Sequence, residues 1–208
     1  MTPFLTERRA CREGAVHLLP TGSVVMVFRG RAAAKPLLLV MPHRDVRTVD
    51  DAIECASLSP NFVKCLLGEP RRLLELTLTP DAHPMLAPFA DCRSGEDAAP
   101  LLEDLRSCLA ITPDERDFLE LWREYRADWE SLPTSDRWVQ RLCLRYTGQS
   151  PQRLKTIARL AATLAADDES RLHNSLGAFA DGPHFARVCR AYTGHPPGRW
   201  RRLSQAFS

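Results

Sequence analysis

The stretch RLCLRYTGQSP, Arg141 to Pro151, returns 46 residues later as RVCRAYTGHPP, Arg187 to Pro197, with six of eleven positions identical. A repeat this dense means one supersecondary unit written twice, and no other feature limits the fold as much. Ser135 and Asp181 are also 46 apart, and both residue types suit the N-cap of the helix after them. Val139 and Phe185 match as buried positions, as do Cys143 and Cys189. Each helix is expected to stop at a glycine, Gly148 or Gly194, in the left-handed conformation. Pro151 and Pro197 then stand where a next helix can begin. Between the copies, PQRLKTIARLAATLAADDESRLHNSLGAF holds mostly strong helix formers as far as Ala166. The pattern in each copy is helix, turn, capped second helix and glycine stop, which is a helix-turn-helix. The two units fall at about 113–151 and 167–197.

The rest of the chain divides by period. SVVMVFRG (23–30) and KPLLLVMPH (35–43) are short apolar runs bounded by Gly and Pro, as strands are. RRLLELTLTP (71–80) alternates from Leu74 to Leu78 like a half-buried strand, and NFVKCLLGEP (61–70) leads into it through a turn at Gly68–Pro70. From Ala98 the apolar spacing becomes three and four. Phe118, Leu121, Trp122, Tyr125 and Trp129 share one helical stripe, and Thr112 with Pro113 makes a helix start. The expected class is α+β: a small antiparallel β-sheet or barrel-like domain over 1–96, then an all-α domain over 97–208 with the two helix-turn-helix units. CRSGEDAAP (92–100) is the expected linker.

Charge supports the same division. Residues 133–208 carry 12 Lys+Arg against 5 Asp+Glu, while 1–132 carry 16 against 21, so a net charge of +2 conceals a basic end and an acidic beginning. A basic segment of this architecture suits a phosphate backbone. No run of about 18 apolar residues suggests a membrane span, and the N-terminus lacks a secretory apolar region, so a cytoplasmic protein is expected. The seven cysteines include no C-x-x-C, and the six histidines include no H-x-H or H-E-x-x-H, so no metal and no cofactor are expected. Reduced, buried cysteine is the expected use, with Cys55 and Cys65, near turns, the first candidates for oxidation. No paired-carboxylate motif, partnered nucleophile or glycine-rich phosphate loop marks an enzyme.

Residues 135–151 and 178–197 resemble the two helix-turn-helix units of the AraC family of bacterial transcription regulators. The second unit supplies Phe179, Asp181, His184, Phe185, Arg187, Arg190, Gly194 and Pro197 to that pattern; the first supplies Ser135, Arg141, Gly148, Ser150 and Pro151. HLLPTGSVVMVF (17–28) and LLELTLTPDAHPMLA (73–87) resemble the small β-rich domain that precedes such units in some members. The resemblance departs where the family places a small residue in the first helix of each unit: here stand Trp129 and Asn174.

The resemblance implies double-stranded DNA as partner, with Ser135, Asp136, Arg137, Gln140 and Arg141 as contacts in the first unit and Gly182, His184, Arg187 and Arg190 in the second. Arg pairs with guanine and Gln with adenine in the major groove, so the first helix can specify bases. Gly182, Pro183 and Ala186 present little to a base edge, so the second is expected mainly to grip phosphate through Arg187 and Arg190. Trp138 is expected to pack within its own unit, and His184 to cap or pack locally. The N-terminal domain would sense a small-molecule effector or assemble a homodimer. The alternative is a degenerate helix-turn-helix protein that binds another regulator.

Overall fold

A computed structural model describes residues 5–10, 15–30, 33–60, 75–108, 111–164 and 179–200. The expected lead-in at 61–70 with its Gly68–Pro70 turn, Cys65, Asn174, and the leading helix of the second unit lie outside these described residues. The architecture is α+β, a small antiparallel sheet region followed by several helices. The strands are β1 (Leu5–Ala10), β2 (Val16–Leu18), β3 (Val24–Arg29), β4 (Leu37–Val40), β5 (Arg47–Val49), β6 (Ala52–Leu58) and β7 (Thr77–Leu78). One five-stranded sheet has the order β1-β6-β3-β4-β7, and a separate ribbon pairs β2 with β5.

The continuous apolar run of β3 is explained by burial on both faces. Val24, Met26 and Phe28 join Leu37, Leu39, Ala56 and Leu58 on one face, where Leu86, Phe89, Ala98 and Leu102 cover them. Val25 and Val27 face the other way, with Val40 and Cys55, under Leu18 and Val49 of the ribbon. Cys55 therefore lies buried within β6, away from the turn position expected for it. Helix α1 (Gly95–Cys108) supplies Ala98 and Leu102. Residues 92–100, taken from sequence as a linker, contain its capped start: the Asp97 carboxylate accepts from the Arg93 and Ser94 N–H groups at 2.8 and 3.0 Å.

Among the described residues, the strand expected over Leu74–Leu78 covers Thr77–Leu78. Glu75 breaks it, at φ 67°, a left-handed conformation uncommon for a side-chain-bearing residue. It is held there by its surroundings. The Glu75 N–H donates to Pro42 O at 3.0 Å, its carboxylate accepts from Arg44 N–H at 2.7 Å, and the Arg47 guanidinium donates to both its carboxylate and its carbonyl.

The helical half holds α2 (Pro113–Ala127), α3 (Arg137–Thr147), α4 (Pro151–Leu164) and α5 (Gly182–Thr193). Helix α2 begins where Thr112 and Pro113 predict, and the Thr112 N–H donates to the Glu115 carboxylate at 2.7 Å, closing the first turn. Its aromatic stripe is core. Phe118 stacks on Tyr146 of α3 at 4.2 Å between centroids, with Trp122 and Tyr125 alongside. Trp129 falls beyond α2, in a short 3-10 turn that Arg159 of α4 grips through both oxygens of Glu130. A second cluster joins Leu160 and Leu164 of α4 to Phe179, Phe185, Cys189 and Trp200. Among the described residues no helix is long and apolar enough to cross a membrane.

Candidate nucleic-acid interface

The repeated sentence becomes repeated geometry at the ends of α3 and α5. Gly148 (φ 70°) and Gly194 (φ 72°) both adopt the left-handed conformation, and their N–H groups donate back to Leu144 O and Arg190 O at 3.2 and 2.9 Å. The repeated threonine has a defined task. Thr147 Oγ1 donates to Cys143 O at 2.7 Å and accepts from Gln149 N–H at 3.1 Å. Thr193 does the same with Cys189 O and His195 N–H, at 2.7 and 3.1 Å. Cys143 and Cys189 lie buried beneath, and burial pushes the Cys143 thiol up to about 12.

At the other end the copies differ by one residue. Asp181 caps α5, its carboxylate accepting from His184 N–H at 2.5 Å, as the sequence suggests. In the first copy the cap is Asp136, which accepts from Trp138 and Val139 N–H at 2.7 and 3.1 Å. The expectation that Ser135 caps this helix is corrected. Asp136 stands one position nearer the helix, and an ionised acceptor makes the stronger bond to backbone N–H groups. Ser135 is exposed just outside the helix.

Between cap and stop, each helix buries one face and turns the other to solvent. On α3, Val139, Leu142, Cys143, Tyr146 and Thr147 are buried, while Arg137, Arg141 and Leu144 lie exposed at three- and four-residue spacing. Gln140, half-buried, donates its amide back to Thr134 O at 2.9 Å. Trp138 is 37% exposed, contrary to the packed position expected; the buried stripe runs one position further on, through Val139. Leu144, 44% exposed, was missed by sequence reading, although it follows Arg137 and Arg141 at helical spacing.

On α5, Phe185, Cys189 and Thr193 are buried, while Arg187 and Arg190 are exposed. Gly182 is the first helical residue, also exposed, with nothing within 4 Å of where a Cβ would be. His184 turns to its own turn: Nδ1 accepts from Ala180 N–H at 3.2 Å and the ring meets Phe179 edge-on.

Ion pairing differs among the arginines of the helical half. Arg145 pairs with Asp114, and Arg159 with Glu130. Among the described residues, Arg137, Arg141, Arg187 and Arg190 make no ion pair with a carboxylate. Each helix thus carries two exposed cations with five fixed donors apiece, suited to oxyanions or to the acceptor edge of a purine.

No family model matches the chain, and no curated protein matches it. Among solved structures, apo ToxT K231A from Vibrio cholerae is similar to it at 13% identity, with a TM-score of 0.39, over 96% of this chain and 92% of that one. A likeness at that level is too weak to carry a functional argument.

Proposed function

We propose that the chain is a sequence-specific DNA-binding transcriptional regulator, in which α3 reads bases and α5 mainly grips phosphate. One observation carries the reading: two helices with the same cap-and-stop geometry each turn a pair of arginines to solvent, none of them paired with a carboxylate among the described residues. Helices with such faces fit the major groove, and their N-terminal residues meet base edges. The resemblance of 135–151 and 178–197 to AraC-family units points to the same surface. In this reading Arg137 and Arg141 specify, Ser135, Asp136 and Gln140 shape the approach, and Gly182, His184, Arg187 and Arg190 hold the second contact. The β-rich half, which we extend through α1 to Cys108, senses an effector or assembles a dimer.

A titration against genomically selected duplex and a scrambled control, at two salt concentrations, tests this. Arg137→Ala is expected to lose about 1–3 kcal/mol and the preference for the selected duplex, whereas Arg187→Ala weakens both duplexes alike and lowers the salt slope. Equal loss on both DNAs from Arg137→Ala would remove the reader role from α3.

A second reading is supported by the apolar exposure of Trp138 and Leu144 beside those arginines. There the same face docks a protein partner, and no duplex is selected over its scrambled control.

A further inference from the structure

We infer that the β-rich half grips both copies, the first through Gln149 and Arg153 and the second through the cluster beneath α5, and thereby fixes the distance and phase between α3 and α5. This rests on the DNA-binding reading only for its consequence; the mechanical statement stands on contacts alone.

In the first copy the residue just after the repeated Thr–Gly is Gln149. It is 1% exposed, and its amide donates to Pro20 O at 2.8 Å and His43 O at 3.1 Å, across more than a hundred residues of chain. The seam around it is tight. Gly22, at φ 82°, lies so close that an added Cβ would stand 3.0 Å from Leu154 and 3.1 Å from Thr147. Arg153, in the first turn of α4, donates to Arg44 O at 2.8 Å and lies 4.8 Å above the Tyr192 ring of α5. One side chain thus joins the β-rich half to both copies.

The second copy is held through the cluster beneath α5. The His17 ring lies 5.8 Å from that of Trp200, and Leu19 and Val46 pack into the cluster formed by Phe185, Cys189 and Trp200. The same two loops, 19–23 and 42–46, therefore receive both copies. The second loop is held rigid by left-handed Glu75 through Pro42, Arg44 and Arg47. A left-handed residue of this kind persists only where its neighbours over-determine it. Gln149 and Arg153 are positioning residues, and neither lies on the outward face of α3.

The test places paramagnetic labels, carried by non-natural amino acids, at exposed positions 144 and 191 of the full chain. Their separation is measured in the parent, in Gln149→Glu and in Arg153→Gln, with circular dichroism to report helix content. Gln149→Glu keeps the shape but sets a carboxylate against two carbonyls; Arg153→Gln is the milder change should the first fail to fold. One narrow distance in the parent that broadens in a folded variant is the expected result. An unchanged distribution in the folded variants, or a broad one in the parent, overturns the inference.

A second arm uses duplexes whose two contact sites stand at the selected spacing or one base pair further, a rotation of roughly 35°. The parent should prefer the selected spacing by about tenfold, and Gln149→Glu should erode that preference at similar best affinity. A chain that binds no duplex defeats the DNA reading while the label distances still decide this one. Binding with an undiminished spacing preference in Gln149→Glu defeats the inference alone.

Discussion

The two copies share a backbone and diverge in what surrounds it. Helix α3 stands on an aromatic cluster supplied by its own unit: Phe118, Trp122, Tyr125 and Tyr146. Helix α5 stands on a smaller cluster that Leu19 and Val46 of the β-rich half help to complete. The stop is built the same way in both, from threonine, glycine and a buried cysteine. The outward faces are not alike, with Arg137, Trp138, Arg141 and Leu144 on one and Gly182, Arg187 and Arg190 on the other. A duplicated unit therefore keeps the local hydrogen bonds that close its helix, while core and face change around them. The closure is the geometry the two copies hold in common; the chemistry is free to differ.

The comparison breaks most visibly at the cores. Phe118→Ala removes a fully buried ring stacked on Tyr146 and is expected to cost about 3–5 kcal/mol in chemical denaturation. Phe185→Ala, at 6% exposure in the smaller cluster, should fall at the lower end of that range. Equal or reversed losses would mean that the second copy has the stronger core.

The shared stop comes next. Gly194→Ala meets no obstructing atom, so its cost is conformational alone, roughly 1–2 kcal/mol from the left-handed φ. A stability unchanged by this substitution would show that the stop does not depend on glycine.

The caps sharpen the one-residue offset. Asp136→Ala should cost about 1 kcal/mol, while Ser135→Ala stays within about 0.5 kcal/mol. The reverse order would return the cap to Ser135.

Last is a slope with pH rather than a single step. Burial lowers the pKa of His43, more than the carbonyls of Met41 and Leu18 near its ring nitrogens raise it. The unfolded chain then binds a proton that the folded one resists, so stability is full above pH ~6.5 and is lost as pH falls toward the lowered folded value. His17 contributes with the same sign, lowered first by burial and then by His195. Denaturation midpoints at neutral and mildly acidic pH measure the slope, and His43→Gln should flatten it; an unaltered slope would assign it elsewhere.

What could be read from the sequence was what is local. Thr112–Pro113, Asp181, Gly148 and Gly194 act within a turn of where they stand, and their residue types announce the task. The apolar runs of β3 and β4 were equally legible, because burial on both faces leaves nothing polar to confuse the pattern. Strand β6, AIECASL, was missed because Glu54 and Ser57 interrupt its alternation, and its partners β1 and β3 lie far along the chain. Ser135 competed with Asp136 at adjacent positions, and repeat alignment favoured the wrong one by a single residue. Glu75 gave no warning, since its left-handed backbone is imposed by Pro42, Arg44 and Arg47 rather than by its own chemistry. The role of Gln149 was least legible. It depends on two carbonyls contributed by residues 20 and 43, and nothing in the repeat distinguishes a residue that docks from one that merely comes next.

The cluster beneath α5 has a consequence for anyone who severs the chain. A fragment beginning near residue 109 would take Phe185, Cys189 and Trp200 with it but leave Leu19 and Val46 behind. It would also lay bare the Gln149 amide and the surface that Gly22 now covers. Such a truncate would carry the outward arginines together with a freshly uncovered apolar underside, prone to self-association. Its stickiness toward DNA or other proteins would then describe the wound and not the intact molecule.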